Sequence, residues 1–226
     1  MPWRRRKRKI KKLENEIRYL YRYLGLNLGE RQYAFSLDDV RDDHLGRYEF
    51  ACRYIRSTHK VVDAACGIGY GSFLLAERTG AFITGIDISD SAIQSANQLW
   101  RHPNNQFLLA DCTKTDIAKG SIDVAISFET IEHIHVADKL LEELYSLLRP
   151  GGLLICSTPN ETRWPFLTSN HQYHVRHYTA EEITSLIEQS GFQVKDFLAQ
   201  PSATSKKIVP GNDGLFHIVV AEKPDI

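Results

Sequence analysis

The sequence predicts an α/β fold: a mostly parallel sheet with helices on both faces. Three observations carry this. Short apolar runs alternate with segments of helical periodicity through most of the chain. The first run, 61–65, breaks at Cys66-Gly67-Ile68-Gly69-Tyr70-Gly71 and passes straight into helical spacing at Phe73, Leu74 and Ala76. Acidic residues then punctuate the runs, with Asp63 near the end of the first and Asp87, Asp111 and Glu129 after the next three. In sheets of this kind ligands sit at the carboxyl ends of the strands, where those acids stand.

Each element has its own justification. Residues 44–55 are expected to form a helix with Leu45, Tyr48, Ala51, Cys52 and Ile55 inward. The second strand is 81–86; Ser89 or Asp90 then caps a helix to about Trp100 with Ala92, Ile93, Ala96, Leu99 and Trp100 on its apolar side. Strands follow at 106–110 and 122–128. A helix over 136–148 turns Leu140, Leu141, Leu144, Leu147 and Leu148 inward and stops at Pro150-Gly151-Gly152. The fifth strand is 153–157, ended by Pro159. Thr179 with Glu181 and Glu182 reads as an N-cap followed by acids in a first helical turn. The 201–213 segment is expected to be a loop.

Chemistry enters at the glycine turn. Glycines let a backbone approach a ligand, and a helix start offers unpaired N–H groups. The spacing G-x-G-x-G differs from the dinucleotide fingerprint G-x-G-x-x-G. Twenty residues separate Gly67 from Asp87, the span that brings an acid after strand two onto ribose hydroxyls. Asp111, one strand further, can accept from the exocyclic amine of an adenine. Asp63 either faces a positively charged part of the ligand or orients the glycine loop. Arg47 and Tyr33 are further candidate contacts, Arg47 having a surface ion pair as its alternative.

Composition narrows the class. The 226 residues suffice for one large domain, and no run of 18 apolar residues is present. Four cysteines without any C-x-x-C spacing argue against a zinc ribbon and for a reduced, cytoplasmic setting. The net charge of zero hides an asymmetry: residues 1–12 hold eight Lys/Arg and no acid, leaving 20 basic against 28 acidic groups. The body is therefore no polyanion platform; the tail alone suits an anionic membrane face or RNA, or serves simply as a solvated end. Residues 10–24 carry a narrow apolar stripe of Ile10, Leu13, Ile17, Leu20 and Leu24. The expected organisation is a basic tail and helical cap over 1–56 and a ligand-binding domain over 57–226.

Together, VVDAACGIGYG at 61–71, GIDIS at 85–89, ADC at 110–112, FETIEH at 128–133 and LLRPGGLLICSTPN at 147–160 resemble the class I S-adenosylmethionine (SAM)-dependent methyltransferases. The resemblance implies a Rossmann-like sheet of seven strands, mostly parallel with the last antiparallel, placing strands six and seven at 193–198 and 215–221. It implies SAM held by Asp63, Gly67, Gly69, Asp87, Ile88, Asp111, Cys112 and Phe128, with Asp87 on the ribose and Asp111 and Cys112 near the adenine. RYEFA at 47–51, ACGIGYGS at 65–72, SFETIEH at 127–133 and STPN at 157–160 further resemble methyltransferases of bacterial surface-glycan biosynthesis. FETIEH with later histidines also resembles ubiquinone-type O-methyltransferases and small-RNA 2′-O-methyltransferases. In the RNA branch such a set holds a divalent metal, implying here Glu129, Glu132, His133 and one of His171, His174 and His177, with His174 favoured. That branch's fuller C-terminal pattern is not evident.

The methyl of a sulfonium is already activated, so the enzyme's task is to align a nucleophile and exclude water; alignment alone can supply effective molarities on the order of 10⁵ M. An amine needs only to be neutral, whereas an alcohol needs a base or a metal. The expectation is O-methylation of a sugar, glycan precursor or small metabolite, with His133 and His174 as catalytic base candidates and a divalent ion such as Mg²⁺ as the alternative activator. The alternative is that Glu132 and His133 merely cap or line the next helix, with no metal. RNA ribose methylation comes second, and a non-catalytic SAM-binding module third. The protein is expected to be cytoplasmic, and peripheral to a membrane if residues 1–12 dock on one.

Overall fold

A computed structural model describes residues 32–169 and 172–225. The basic tail, the 10–24 stripe and His171 lie outside the described residues. The chain divides into two compact units, 1–33 and 34–226, and the larger one carries every element below.

Helix α1, Asp42–Ala51, continues as a 3₁₀ turn through Cys52–Tyr54 and buries Leu45, Tyr48 and Ala51, while Cys52 is half-buried. Strand β1 (Lys60–Ala64) leads through the glycine turn into α2 (Tyr70–Thr79). Then come β2 (Phe82–Asp87), α3 (Asp90–Leu99), β3 (Asn105–Leu109), β4 (Ile122–Phe128), α4 (Ala137–Leu147) and β5 (Leu148–Pro159). Helix α5 (Ala180–Gln189), β6 (Gln193–Gln200), β7 (Val209–Pro210) and β8 (Phe216–Glu222) complete the unit. Ser89 caps α3, and Thr179 and Glu182 close a reciprocal capping box on α5.

The sheet order is β3-β2-β1-β4-β5-β8-β6-β7. The first five strands run parallel; β8 lies antiparallel between β5 and β6, as expected of a last strand. The sheet has eight strands rather than seven, because β7 forms inside the segment read as a loop. It is a two-residue pairing, Ala199 with Val209 and Leu198 with Pro210. Two residues leave no period to read, and Pro210, which has no N–H, is tolerated there because β7 is the outermost strand. Strand β5 also starts earlier than expected. Leu148 leaves α4 directly into extended backbone, and Pro150-Gly151-Gly152 is carried along the sheet beside a register shift between Ile122 and Val124. Leu99 is exposed and not inward, since Trp100, one residue on, takes the buried position.

One face of the sheet is sealed by Leu140, Leu141, Leu144 and Leu147 of α4 and Ile183 and Ile187 of α5, packed on Val62, Ala64, Ile86, Leu154, Val219 and Ala221. Each such side chain contributes about 1.5–3 kcal/mol. The other face is covered by α1, α2 and α3, and its alternate strand positions point into them. There α1 sits so close to α2 that a Cβ on Gly71 would lie 1.9 Å from the Tyr48 ring. Gly71→Ala is therefore expected to destabilise the protein by about 1–3 kcal/mol. In urea unfolding, Gly71→Ala combined with Tyr48→Ala should cost less than the two single variants summed.

Candidate active site

The site opens at the carboxyl ends of β1, β2 and β4. After β1 the backbone turns through left-handed conformations at Ala65 (φ 57°), Gly67 (φ 57°) and Gly69 (φ 91°). Gly69 has no room for a side chain, because a Cβ would lie 2.7 Å from the Phe107 ring and 2.8 Å from Ala96. At Gly67 the same direction is open space, which is where a ligand can meet the backbone. The Gly67 N–H donates to Asp87 Oδ2 (3.0 Å) and the Ser89 N–H to Asp87 Oδ1 (2.8 Å). A carboxylate oxygen can accept more than one hydrogen bond, the capacity that vicinal hydroxyls would draw on. Ile88, beside it, is 69% exposed, an apolar surface at the strand end. Asp111 stands on the rim and accepts from the backbone and hydroxyl of Thr113, both at 2.8 Å. Cys112 is half-buried, its thiol pushed up to about 12 by burial, and so is no thiolate nucleophile.

Asp63 is buried beneath the turn rather than on its open side. Ser72 Oγ donates to it at 2.6 Å and Tyr48 OH at 3.2 Å. Burial pushes its carboxyl up to about 7, with Ser72 and Tyr48 pulling the other way. Of the two sequence expectations, its contacts fit orientation of the glycine loop. Tyr48 also stacks edge-on against Phe128, with ring centroids 5.1 Å apart. Arg47 is fully buried. Its guanidinium donates to Gln200 Oε1 (2.6 Å), lies 3.5 Å from Asp43 and rests over the Phe216 ring, so it clamps α1 onto the sheet and its pairing acid is an interior one.

Beyond β4 the chemistry changes character. Glu129 is held at φ 49° by its N–H donating to the Ser157 carbonyl, and its Oε1 accepts from Ser157 Oγ at 2.6 Å. Glu132 is wholly buried. Its Oε2 accepts from Thr158 (3.2 Å), and its Oε1 has no partner among the described residues. Burial, then the neighbouring Glu129, pushes the Glu132 carboxyl well above the usual range. The Val175 N–H donates to the Glu132 carbonyl (2.7 Å) and draws the loop after β5 over it. His133 Nδ1 donates to the Tyr173 carbonyl (3.1 Å), and the His133 and His174 rings meet edge to face at 4.7 Å. One ligand atom each from Glu132, His133 and His174 lies within 4.8 Å of the others. Three of the four expected metal-ligating residues thus come together. Glu129 is not in that group, its side chain being turned onto Ser157. His177 is buried behind them against Trp164 and Phe166, so these aromatic residues back the histidines, while Tyr173 is half-exposed.

Sequence reading missed Ser72, Ser157, Thr158 and the Asp43–Arg47–Gln200 clamp. Their partners are distant in the chain, and hydroxyl residues at strand ends carry no periodic signal.

The methyltransferase domain family matches residues 36–196. The chain belongs to this family of SAM-dependent methyltransferases. It is 31% identical over 64% of its length to a Mycolicibacterium smegmatis protein named for S-adenosylmethionine-dependent methyl transfer, covering 58% of that protein. It is 32% identical over 74% of its length to phosphoethanolamine N-methyltransferase 1 of Triticum aestivum, covering 30% of it. The chain thus spans between about a fifth and three fifths of the length of these and the other curated relatives it matches. Its fold is shared with the methyltransferase bound to the Trm112 activator from Haloferax volcanii, with a TM-score of 0.70, 18% identity, and 82% and 91% of the two chains covered. Among the described residues no helix is long and apolar enough to cross a membrane.

The raised carboxyl of Asp63 has a measurable consequence. The folded protein keeps a proton that the unfolded chain releases near pH 4, so this group's contribution makes stability fall as pH rises from about 4 to about 7. Asp63→Asn should flatten that part of the profile of urea-unfolding midpoints; an unchanged profile would mean that Asp63 is ionised throughout.

Proposed function

We propose that this protein transfers a methyl group from SAM to a hydroxyl of a sugar, glycan precursor or small metabolite. The observation that carries the acceptor assignment is the cluster of buried Glu132 with half-buried His133 and His174 beside the end of β4. An amine acceptor would need no such apparatus, whereas a hydroxyl must shed its proton as the methyl arrives. In this reading the Gly67–Gly69 turn, Asp87 and Ile88 fix the donor with Asp111 and Cys112 at its adenine end. His174 or His133 takes the proton, and the loop of Trp164 and Tyr173 keeps water from the sulfonium. The motif resemblance of SFETIEH and STPN to glycan-associated enzymes, and of FETIEH to ubiquinone-type ones, is what supports this choice; the phosphoethanolamine N-methyltransferases among the relatives favour an amine and form the competing outcome.

A divalent cation is the second reading. Two imidazoles and a carboxylate form a donor set suited to Mn²⁺ or Zn²⁺ more than to Mg²⁺, and the Glu132 oxygen lacking a partner among the described residues fits such an occupant. Glu132, His133 and His174 would hold the ion, which when bound would lower the pKa of an acceptor hydroxyl. RNA remains less favoured than a small acceptor because the chain outside residues 1–12 is acidic. Residues 1–12 suit an anionic bilayer, at about 1 kcal/mol for each basic residue, which binding to vesicles with and without anionic lipid would decide.

Calorimetry should detect SAM and S-adenosylhomocysteine binding, weakened at least tenfold or so by Asp87→Ala; unchanged affinity would remove Asp87 from the ribose. A labelled-methyl screen over glycans, phenols, phosphoethanolamine and RNA, with and without Mn²⁺, Mg²⁺ or EDTA, then reads the acceptor. His174→Ala should lower kcat by about 10²–10⁴ with SAM affinity retained. Transfer to phosphoethanolamine alone would replace the hydroxyl reading.

A further inference from the structure

The loop after β5 holds two histidines in series, and the hydrogen bonds through them have a direction. A carbonyl only accepts, so His177 Nδ1, 2.7 Å from the Trp164 carbonyl, carries a proton. A neutral imidazole has one N–H, which makes His177 Nε2 an acceptor. That atom lies 2.7 Å from His174 Nδ1, which is therefore the donor. In a neutral pair, then, the His174 proton is on Nδ1 and Nε2 carries the lone pair.

We propose that His177 is a positioning residue that relays the Trp164 carbonyl to His174 and fixes the tautomer in which Nε2 is the basic, ligating nitrogen. The assignment of His174 to methyl transfer rests on the function proposed above; the tautomer does not. Two further features support it. His177 is 3% exposed and boxed by the rings of Trp164 (5.6 Å) and Phe166 (5.7 Å), so its orientation is set by packing as well as by its hydrogen bonds. His133 is held in the same sense, donating from Nδ1 to the Tyr173 carbonyl, so both imidazoles of the site carry their basic nitrogen at Nε2. An N–H tied to a carbonyl behind a working imidazole is the usual way to select its tautomer. The opposite polarity is also defined chemically. A doubly protonated His177, with Glu161 Oε2 3.9 Å from its Nδ1, would donate both ways and leave His174 with its proton on Nε2.

Long-range ¹H–¹⁵N spectra of the full-length protein with labelled histidines separate these states, the His174 signals being assigned by their loss in His174→Asn. The expected result is Nδ1–H at His174 in the wild type. It should persist in His177→Gln, whose amide can donate to Trp164 and accept from His174. In His177→Phe, which keeps the aromatic packing, His174 should shift to the Nε2–H form or a mixture. If the phenylalanine variant does not fold, the wild-type and glutamine spectra decide alone. Absence of SAM binding would defeat the methyl-transfer reading while leaving these spectra as they are. His174 found as Nε2–H or as imidazolium in the wild type, or Nδ1–H retained in His177→Phe, would overturn the proposal.

Discussion

The carboxyl of Asp63 is the point on which the glycine-turn side of this protein depends. A carboxyl group buried with no cation beside it costs free energy unless donors surround it. Here they come from two different helices, Tyr48 on α1 and Ser72 on α2, so satisfying one strand residue draws both helices to the same place. Once Tyr48 is there, its ring occupies the space a side chain at residue 71 would need. The turn between β1 and α2 is then fixed at both ends. The Gly67 N–H donates to Asp87, so an internal hydrogen bond helps to set the direction of that carboxylate.

The two halves of the site are built on different principles. Its glycine-turn half is mostly backbone: glycine peptides, a carboxylate held by two N–H groups, and strand ends locked in a parallel register. Its histidine half is made of side chains on a short 3₁₀ turn (Ile131–His133) and a long loop, joined by a few hydrogen bonds that involve Thr158, Val175 and His177. Rigid backbone suits a cofactor that never changes. Side chains on loops can be exchanged without disturbing the sheet, which is where acceptor choice is free to vary.

That division also explains what was legible in the sequence. Parallel strands buried on both faces appear as apolar runs, and the residue after each run falls at the ligand edge, so Asp87 and the glycine turn could be read directly. The leucines of α4 were legible by period, and the capping box of α5 by residue type. By contrast, β7 is too short for any pattern, and Pro150-Gly151-Gly152 looks like a stop although it runs on as strand. Spacing could place Glu129 near the site but not foresee the left-handed backbone that turns it onto Ser157. Among His171, His174 and His177, only three-dimensional contacts distinguish one role from another.

The clamp at Arg47 bears on how the molecule is made. Arg47 and Gln200 are 153 residues apart, Gln200 also donates to the Asp43 and Ser205 carbonyls, and Gly46 lies against the Lys206 backbone with no room for a Cβ. Helix α1 therefore cannot seat until β6 and the segment after it are in place, although it is made early on the ribosome. Contacts of such long range form late in folding, after the loop-closure entropy has been overcome by the sheet itself. The covering over the glycine turn is thus among the last parts to assemble, and a chain released before residue 206 would lack it however complete its glycine turn.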